Sequence, residues 1–362
     1  MMKCAKREEA IVDELSKLYK NRGFKRYKPG CFEEYSLYQD NKDFLIGKNV
    51  ISFSDLSGKL MAMRPDVTLS LVRHIDVESG AAEKFYYNEK VYRQATGSKN
   101  YKEISQLGVE VVGTIDLAVV AELTVLICQT LATINENYVL DISHMGYTEG
   151  LLSEFGTDKQ LVAEYLKSKN LHDFNKLADG RNYSKEIKDA FYTAVSVNEN
   201  PELTLQKAEK AALNDSMKSA VAELKELYAI IKRFGYADRV NIDFSACGNA
   251  DYYNGVIFNG YLKGVPHSVL TGGRYDRLLT KLGKTGGAIG FALYLGEIER
   301  YFARDDESVD YLIIYDDIKQ IEALNLANEK NRQLKTVRLS RCVPEGLVYK
   351  NLVDLTDGEA SK

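Results

Sequence analysis

EKFYYNEKVYRQATGSKNYKEISQLGVEVVG, from Glu83 to Gly113, is the stretch on which the fold turns. It reads as two strands, 83–93 and 101–113, joined by the loop Gln94-Ala95-Thr96-Gly97-Ser98-Lys99-Asn100. Within the second strand, Gln106-Leu107-Gly108-Val109-Glu110 alternates polar and apolar, so Gln106, Gly108 and Glu110 share one face. Taken alone, that alternation describes a solvated strand face.

On the N-terminal side, residues 66–78 read as a helix. A β-hairpin precedes it, with Ser52-Phe53-Ser54-Asp55 and Lys59-Leu60-Met61-Ala62-Met63-Arg64 turning at Ser57-Gly58. Residues 5–22 place Ile11, Leu15 and Leu18 on one helical face, with Gly23 suited to stop the helix. Between them, GFKRYKPGCFEEYSLYQ is a Tyr-rich, strand-like segment in which Pro29 fits an edge or a bulge. On the C-terminal side a long helix runs to about residue 136 and a strand covers Tyr138–Ile142. Residues 148–236 then turn helical and rich in Lys, Glu and Ala, with Asn200-Pro201-Glu202 as N-cap, first-position proline and first-turn acid. Strands are expected at 239–246, 252–261 and 267–271, a helix at 273–282, and a glycine-flanked segment at 285–302. A βαβ-like tail follows Asp305-Asp306-Glu307, with Tyr311–Tyr315, a helix near 317–332, and Thr336–Leu339. Strands come in a block interrupted by helices, which favours an α+β class with an antiparallel sheet flanked by helices. The expected organisation is a core over 1–305, carrying a helical insertion at 148–236, and a small C-terminal α/β segment at 306–362.

Composition narrows the function classes. The chain has 362 residues, 45% hydrophobic and 28% charged, which excludes a disordered or fibrous protein. A net charge of −4 gives no support to a dedicated nucleic-acid binder. Five scattered cysteines with no C-x-x-C pair suggest neither a disulfide framework nor a zinc cluster, and so a reducing cytoplasm. The polar opening MMKCAKREEA is not expected to be a secretory leader. Leu117 to Ile134 is apolar, but Glu122 and Gln129 within it favour a buried helix over a membrane span.

Candidate chemistry sits in a few segments. Met63-Arg64-Pro65-Asp66-Val67-Thr68 sets a carboxylate and a hydroxyl two residues apart, a pair able to hold an ammonium group. Asp66 or Thr68 could equally serve as the N-cap of the following helix. In Asp251-Tyr252-Tyr253-Asn254-Gly255, the tyrosines suit core packing before a turn. In Gly272-Gly273-Arg274-Tyr275-Asp276, the double glycine allows either close backbone approach to a ligand or a tight strand-to-helix junction. No G-K-[ST] follows it, so it is no P-loop. The four histidines lack H-x-x-x-H spacing, and no G-x-S-x-G element exists, so neither a metal nor a catalytic serine is expected.

In order, these segments resemble the catalytic core of histidyl-tRNA synthetase, a class II synthetase, over about residues 5–302. Lys28-Pro29-Gly30 is similar to the motif 1 proline region. Phe53-Ser54-Asp55 through Thr68 resembles F-x-D…L-R-P-E-x-T, and Val91-Tyr92-Arg93 with Gln106–Glu110 resembles motif 2 and its Q-L-G-x-E strand. Asp251-Tyr252-Tyr253 and Gly272–Asp276 are similar to the two histidine-specific motifs, and Ala288-Ile289-Gly290-Phe291-Ala292-Leu293 to the start of motif 3. The resemblance implies a class II synthetase-like fold. It also implies a histidine pocket in which Asp66 and Thr68 meet the amine, and Gln106, Glu110, Tyr252 and Tyr253 surround the amine and imidazole. Arg93 would stand near the carboxylate.

The departures fall on the ATP side. Gly248 stands where the family has a catalytic arginine, and Glu297 where motif 3 ends in an ATP-binding arginine. Motif 2 loses its acid at Tyr92-Arg93-Gln94-Ala95, and its loop arginine corresponds to Asn100. Removing one positioned charge typically costs about 10²–10³ in rate. Lost arginines plus an inserted acid leave little room for amino-acid activation. An amino-acid pocket on a disabled synthetase core resembles the regulatory-subunit family of ATP phosphoribosyltransferase. The resemblance implies a non-catalytic chain without cofactor or metal, partnered with a short-form catalytic subunit, that brings feedback inhibition by L-histidine to the first step of histidine biosynthesis. A homodimer through the segment around Pro29, within a hetero-oligomer, is implied too. The alternative is an active, divergent histidyl-tRNA synthetase-like amino-acid ligase, with Lys99, Lys102 or Arg274 replacing the lost cations. A synthetase-like RNA-sensing module has no support in the net charge, and tRNA is not an expected partner.

Overall fold

The computed structural model describes residues 2–45, 49–76, 80–94, 100–196, 200–246, 252–302, 308–344 and 347–356. Two units emerge: Glu8–Glu299, and Arg300–Lys362 together with Met1–Arg7. The division falls at Glu299, ahead of the 305/306 boundary read from the sequence, which lies outside the described residues.

The first unit begins at Glu8, within α1 (Met2–Asn21), whose buried stripe is Ile11, Leu15 and Tyr19, with Leu18 at its margin. Gly23 adopts φ +82° and ends it, a conformation open to glycine. β1 (Lys25–Arg26) and β2 (Phe32–Glu34) flank Pro29. The strand-like reading then fails, because Tyr35–Gln39 is a short helix, α2, that buries Leu37 and Tyr38. Aromatic β-propensity yields here to burial of one helical face. The hairpin forms as expected from β3 (Ser52–Ser54) and β4 (Leu60–Met63), with the Asp55 carboxylate accepting from the Ser57 and Lys59 amides. α3 follows at Val67–His74.

β5 (Ala82–Gln94) and β6 (Tyr101–Gly113) are the longest strands and pair antiparallel from Ala82↔Gly113 to Gln94↔Tyr101. α4 (Leu117–Ile134) is long and apolar enough to cross a membrane. It serves instead as a core helix, with Val120, Leu123–Cys128 and Leu131 buried, Thr130 bonded to the Tyr19 hydroxyl at 3.1 Å, and Glu122 paired with Lys84 at 2.7 Å. β7 (Tyr138–His144) leads into the helical block α5 (Met145–Ser153), α6 (Lys159–Ser168), α7 (Leu171–Arg181), α8 (Lys185–Val195), α9 (Pro201–Lys210) and α10 (Asp215–Arg233). Asn200 caps α9 through the Glu202 amide at 2.8 Å, with Pro201 at the first position as the sequence suggests. Phe174 and Phe191, stacked at 3.5 Å, centre a core of the block with Phe155. The block is the crossover between β7 and β8 (Val240–Ile242), which lie parallel and so cannot be joined by a tight turn.

β9 (Val256–Leu262) and β10 (Leu270–Arg274) precede α11 (Asp276–Lys281), β11 (Gly287–Tyr294) and α12 (Leu295–Phe302). The strand expected over 239–246 stops at Ile242, because the Asp243 carboxylate takes the Ser245 amide and hydroxyl into a turn. The eight-stranded sheet has the order β1-β5-β6-β11-β10-β9-β7-β8. Its neighbours are antiparallel except the outermost pairs, β1–β5 and β7–β8.

The second unit contains β12 (Ser308–Ile314), α13 (Gln320–Arg332), β13 (Val337–Ser340) and β14 (Val348–Asp354), a parallel sheet of order β13-β12-β14. Ala323 and Ala327 of α13 pack against Ile313. β14 is a strand that the sequence reading left out.

Candidate functional site

The face of the central sheet that bears Gln106, Gly108 and Glu110 is not solvated. Register sets Gly290 opposite Glu110 and Tyr294 opposite Gln106 on β11, while Thr271 on β10 lies opposite Ala292. α3 and the Tyr252–Tyr253 turn cover this face. The result is a pocket lined by Asp66, Thr68, Arg93, Gln106, Glu110, Tyr252 and Tyr253, the seven candidates read from the sequence. Gln106 and Glu110 are each only 2% exposed.

Glycines make the crowding possible. A Cβ on Gly290 would overlap the Glu110 carboxylate, and one on Gly273 would stand 2.7 Å from the Tyr253 ring. The second histidine-like motif thus brings backbone close to the site, and its glycines end a strand rather than open a helix.

Asp66 has two functions, one for each oxygen. Oδ1 accepts the Leu69 amide at 2.8 Å and caps α3, while Oδ2 faces the Arg93 guanidinium at 3.4 Å. The capping and the ligand readings of this residue are therefore compatible. Arg93 Nε donates to the Pro65 carbonyl at 2.7 Å. Thr68 donates to one Glu110 oxygen at 2.6 Å, and the Tyr275 hydroxyl donates to the other. Tyr252 packs between Phe44, Tyr253 and Tyr275.

Burial dominates the electrostatics. It pushes the Glu110 carboxyl up to about 8, with the nearby Asp66 charge adding to the rise and the Thr68 and Tyr275 hydrogen bonds opposing it. Glu110 is thus largely neutral at pH 7, and one of its two hydroxyl hydrogen bonds then runs in reverse. Burial also raises Asp66, against the Arg93 charge and the Leu69 and Thr68 amides. Tyr87, Tyr252 and Tyr275 are raised well above the usual phenol range by the same cause. The pocket therefore holds one ion pair, one neutral acid and a ring of neutral phenols. That set can receive an ammonium, a carboxylate and an uncharged hydrogen-bonding ring.

Tyr87, Thr271, Tyr275 and Tyr294 also line the pocket and were not among the candidates. Thr271 and Tyr294 join their hydroxyls at 2.9 Å. Tyr275 lies within a motif already singled out, so its signal was available. Tyr294 could be found only by knowing that β11 pairs with β6.

The ATP-side positions read differently. Glu297 stands in the first turn of α12. Gly248, Asn249, Ala250 and Asp251, and with them Lys99, lie outside the described residues. Among the cations considered as replacements, Arg274 is tied to Asp276 at 2.8 Å, and Lys102 is an exposed residue opposite Arg93 in the β5–β6 pair.

A family profile described as histidyl-tRNA synthetase matches residues 2–298. The chain belongs to the histidyl-tRNA synthetase family. Within reach of it is the ATP phosphoribosyltransferase regulatory subunit of Bacillus mycoides (strain KBAB4), 26% identical over 350 residues, covering 92% of this chain and 82% of that protein. Among solved structures, an ATP phosphoribosyltransferase regulatory subunit/histidyl-tRNA synthetase from Bacillus halodurans aligns with TM-score 0.76 and 21% identity, over 97% of this chain and 94% of that one. An ATP phosphoribosyl transferase complex from Thermotoga maritima aligns with TM-score 0.63 and 19% identity, over 80% and 97% of the two chains. The fold is that of the class II synthetase-like family, as the motifs implied.

Proposed function

We propose that this chain is a non-catalytic regulatory subunit of ATP phosphoribosyltransferase, a glycosyltransferase complex, that serves the first step of histidine biosynthesis and its feedback control in the cytoplasm. Its partner is a short-form catalytic subunit, and its ligand is L-histidine. The observation that carries this reading is the asymmetry of the site. The seven residues suited to an amino acid converge on one buried pocket, while the sequence holds Gly248 and Glu297 where the family holds a catalytic and an ATP-binding arginine. The relative named as a regulatory subunit and the Thermotoga complex lend the same support. In this reading Asp66 and Thr68 receive the amine, Arg93 stands at the carboxylate, and Gln106, Glu110, Tyr252 and Tyr253 surround the amine and imidazole. A sensor requires that histidine bind one state of the complex better than another.

The alternative, an active amino-acid ligase, is separated by one assay. The purified chain is expected to show no histidine-dependent ATP–pyrophosphate exchange, and robust exchange at micromolar protein would promote the ligase. The chain also pairs with a second copy through the segment around Pro29. Light scattering at tens of micromolar should give a dimer mass, and a stable monomer would count against this pairing.

A further inference from the structure

The pocket is too small for the ligand it suits. Only about 30 Å³ is open to the centre of a water molecule, room for one or two waters and not for an amino acid. Something must move. Asp66 cannot easily do so, because Oδ1 is fixed to the Leu69 amide at the head of α3. Arg93 can. Its guanidinium lies 3.4 Å from Asp66 Oδ2, well beyond the 2.7–2.9 Å of a strong charge-assisted hydrogen bond. Both partners are nearly buried, at 8% and 4% exposed, so neither charge is stable there without a counter-charge.

We propose that the Asp66–Arg93 ion pair is the occupant of the empty pocket, and that a free α-amino acid binds by ion-pair exchange. The ligand ammonium takes Asp66, and the released guanidinium swings onto the ligand carboxylate. This inference rests on the reading of the pocket as an amino-acid site and adds the rule by which that site selects. A zwitterion replaces one buried pair with two and leaves every charge matched. A ligand without the carboxylate evicts Arg93 from Asp66 and leaves it buried without an anion. A ligand without the amine has nothing to offer Asp66 and leaves the pair closed. Glu110 does not rescue either case: Thr68 and Tyr275 engage both its oxygens, and it is largely neutral at pH 7.

The test is calorimetric titration of the full chain at pH 7 with L-histidine, with histamine, which lacks the carboxylate, and with imidazole-4-propionate, which lacks the amine. Each analogue should bind at least about 10- to 100-fold more weakly than L-histidine, the loss expected for one charge-assisted contact. A crystal structure with L-histidine should show the ammonium on Asp66 and Arg93 turned to the ligand carboxylate. The double variant Asp66→Asn with Arg93→Gln removes both charges together and so strands neither. It should fold and bind all three compounds within about threefold of one another. Analogues that equal L-histidine, or a liganded structure with the pair still closed, overturn the exchange and leave the amino-acid site standing. No binding of L-histidine at millimolar concentration overturns both.

Discussion

Glu110 shows how one residue's environment becomes a measurable property. Its alternation with Gln106 and Gly108 was legible in the sequence, but the sequence suggested water on that face. α3, Tyr252 and Tyr275 cover it instead, and burial moves the carboxyl from near 4.5 to about 8. In the unfolded chain the proton leaves near 4.5, whereas the folded chain keeps it to about 8. The folded state binds more protons in that window, so stability falls as pH rises through it. Glu110→Gln removes this dependence. Urea unfolding at pH 5 and pH 8.5 should show the wild type losing up to about 4 kcal/mol relative to the variant. Equal pH slopes for the two proteins would refute the buried-acid account. The same scale marks the limit of reading by sequence. Asp66, Thr68 and Arg93 sit in recognisable local patterns, whereas Tyr294 joins the pocket only through the register of β11 on β6.

Among the elements, the link between the Pro29 segment and the central sheet is made by Arg64, a residue quoted in the motif but given no function there. It is fully buried. Nη1 donates to the Pro29 and Gly30 carbonyls at 3.1 and 2.5 Å, and Nη2 to Glu89 at 3.1 Å and to the Lys90 carbonyl at 2.8 Å. One side chain thereby holds the segment before β2 against β5. Arg64→Met should strand Glu89 and the carbonyls and cost about 3–5 kcal/mol in urea unfolding. A loss below about 1 kcal/mol would show that the segment is held by other contacts. Elements fixed by strong local signals were legible: the β3–β4 hairpin, the capped α9, and the β5–β6 pair. Those decided by distant packing were not. Tyr35–Gln39 became a helix to bury Leu37 and Tyr38, and β14 gains its place by pairing with β12.

At the scale of the molecule, the family fold brings the seven candidate residues to one pocket, and in the proposed function that pocket keeps amino-acid recognition while Gly248 and Glu297 remove activation. Composition could not reveal this, because a net charge of −4 fits enzyme and regulator alike. The proposal comes from comparing the motifs position by position, since charge at two or three positions is what would separate adenylation from sensing. In the proposed function, the chain confers histidine control on another enzyme. The most direct measurement is the rate of ATP phosphoribosyltransferase from the same source, assayed with its short-form catalytic subunit alone and with this chain added, across a histidine titration. A stable heteromer on size exclusion is expected, with a transferase inhibited by histidine only when the chain is present. No heteromer, or a transferase whose histidine response is the same with and without the chain, would contradict it.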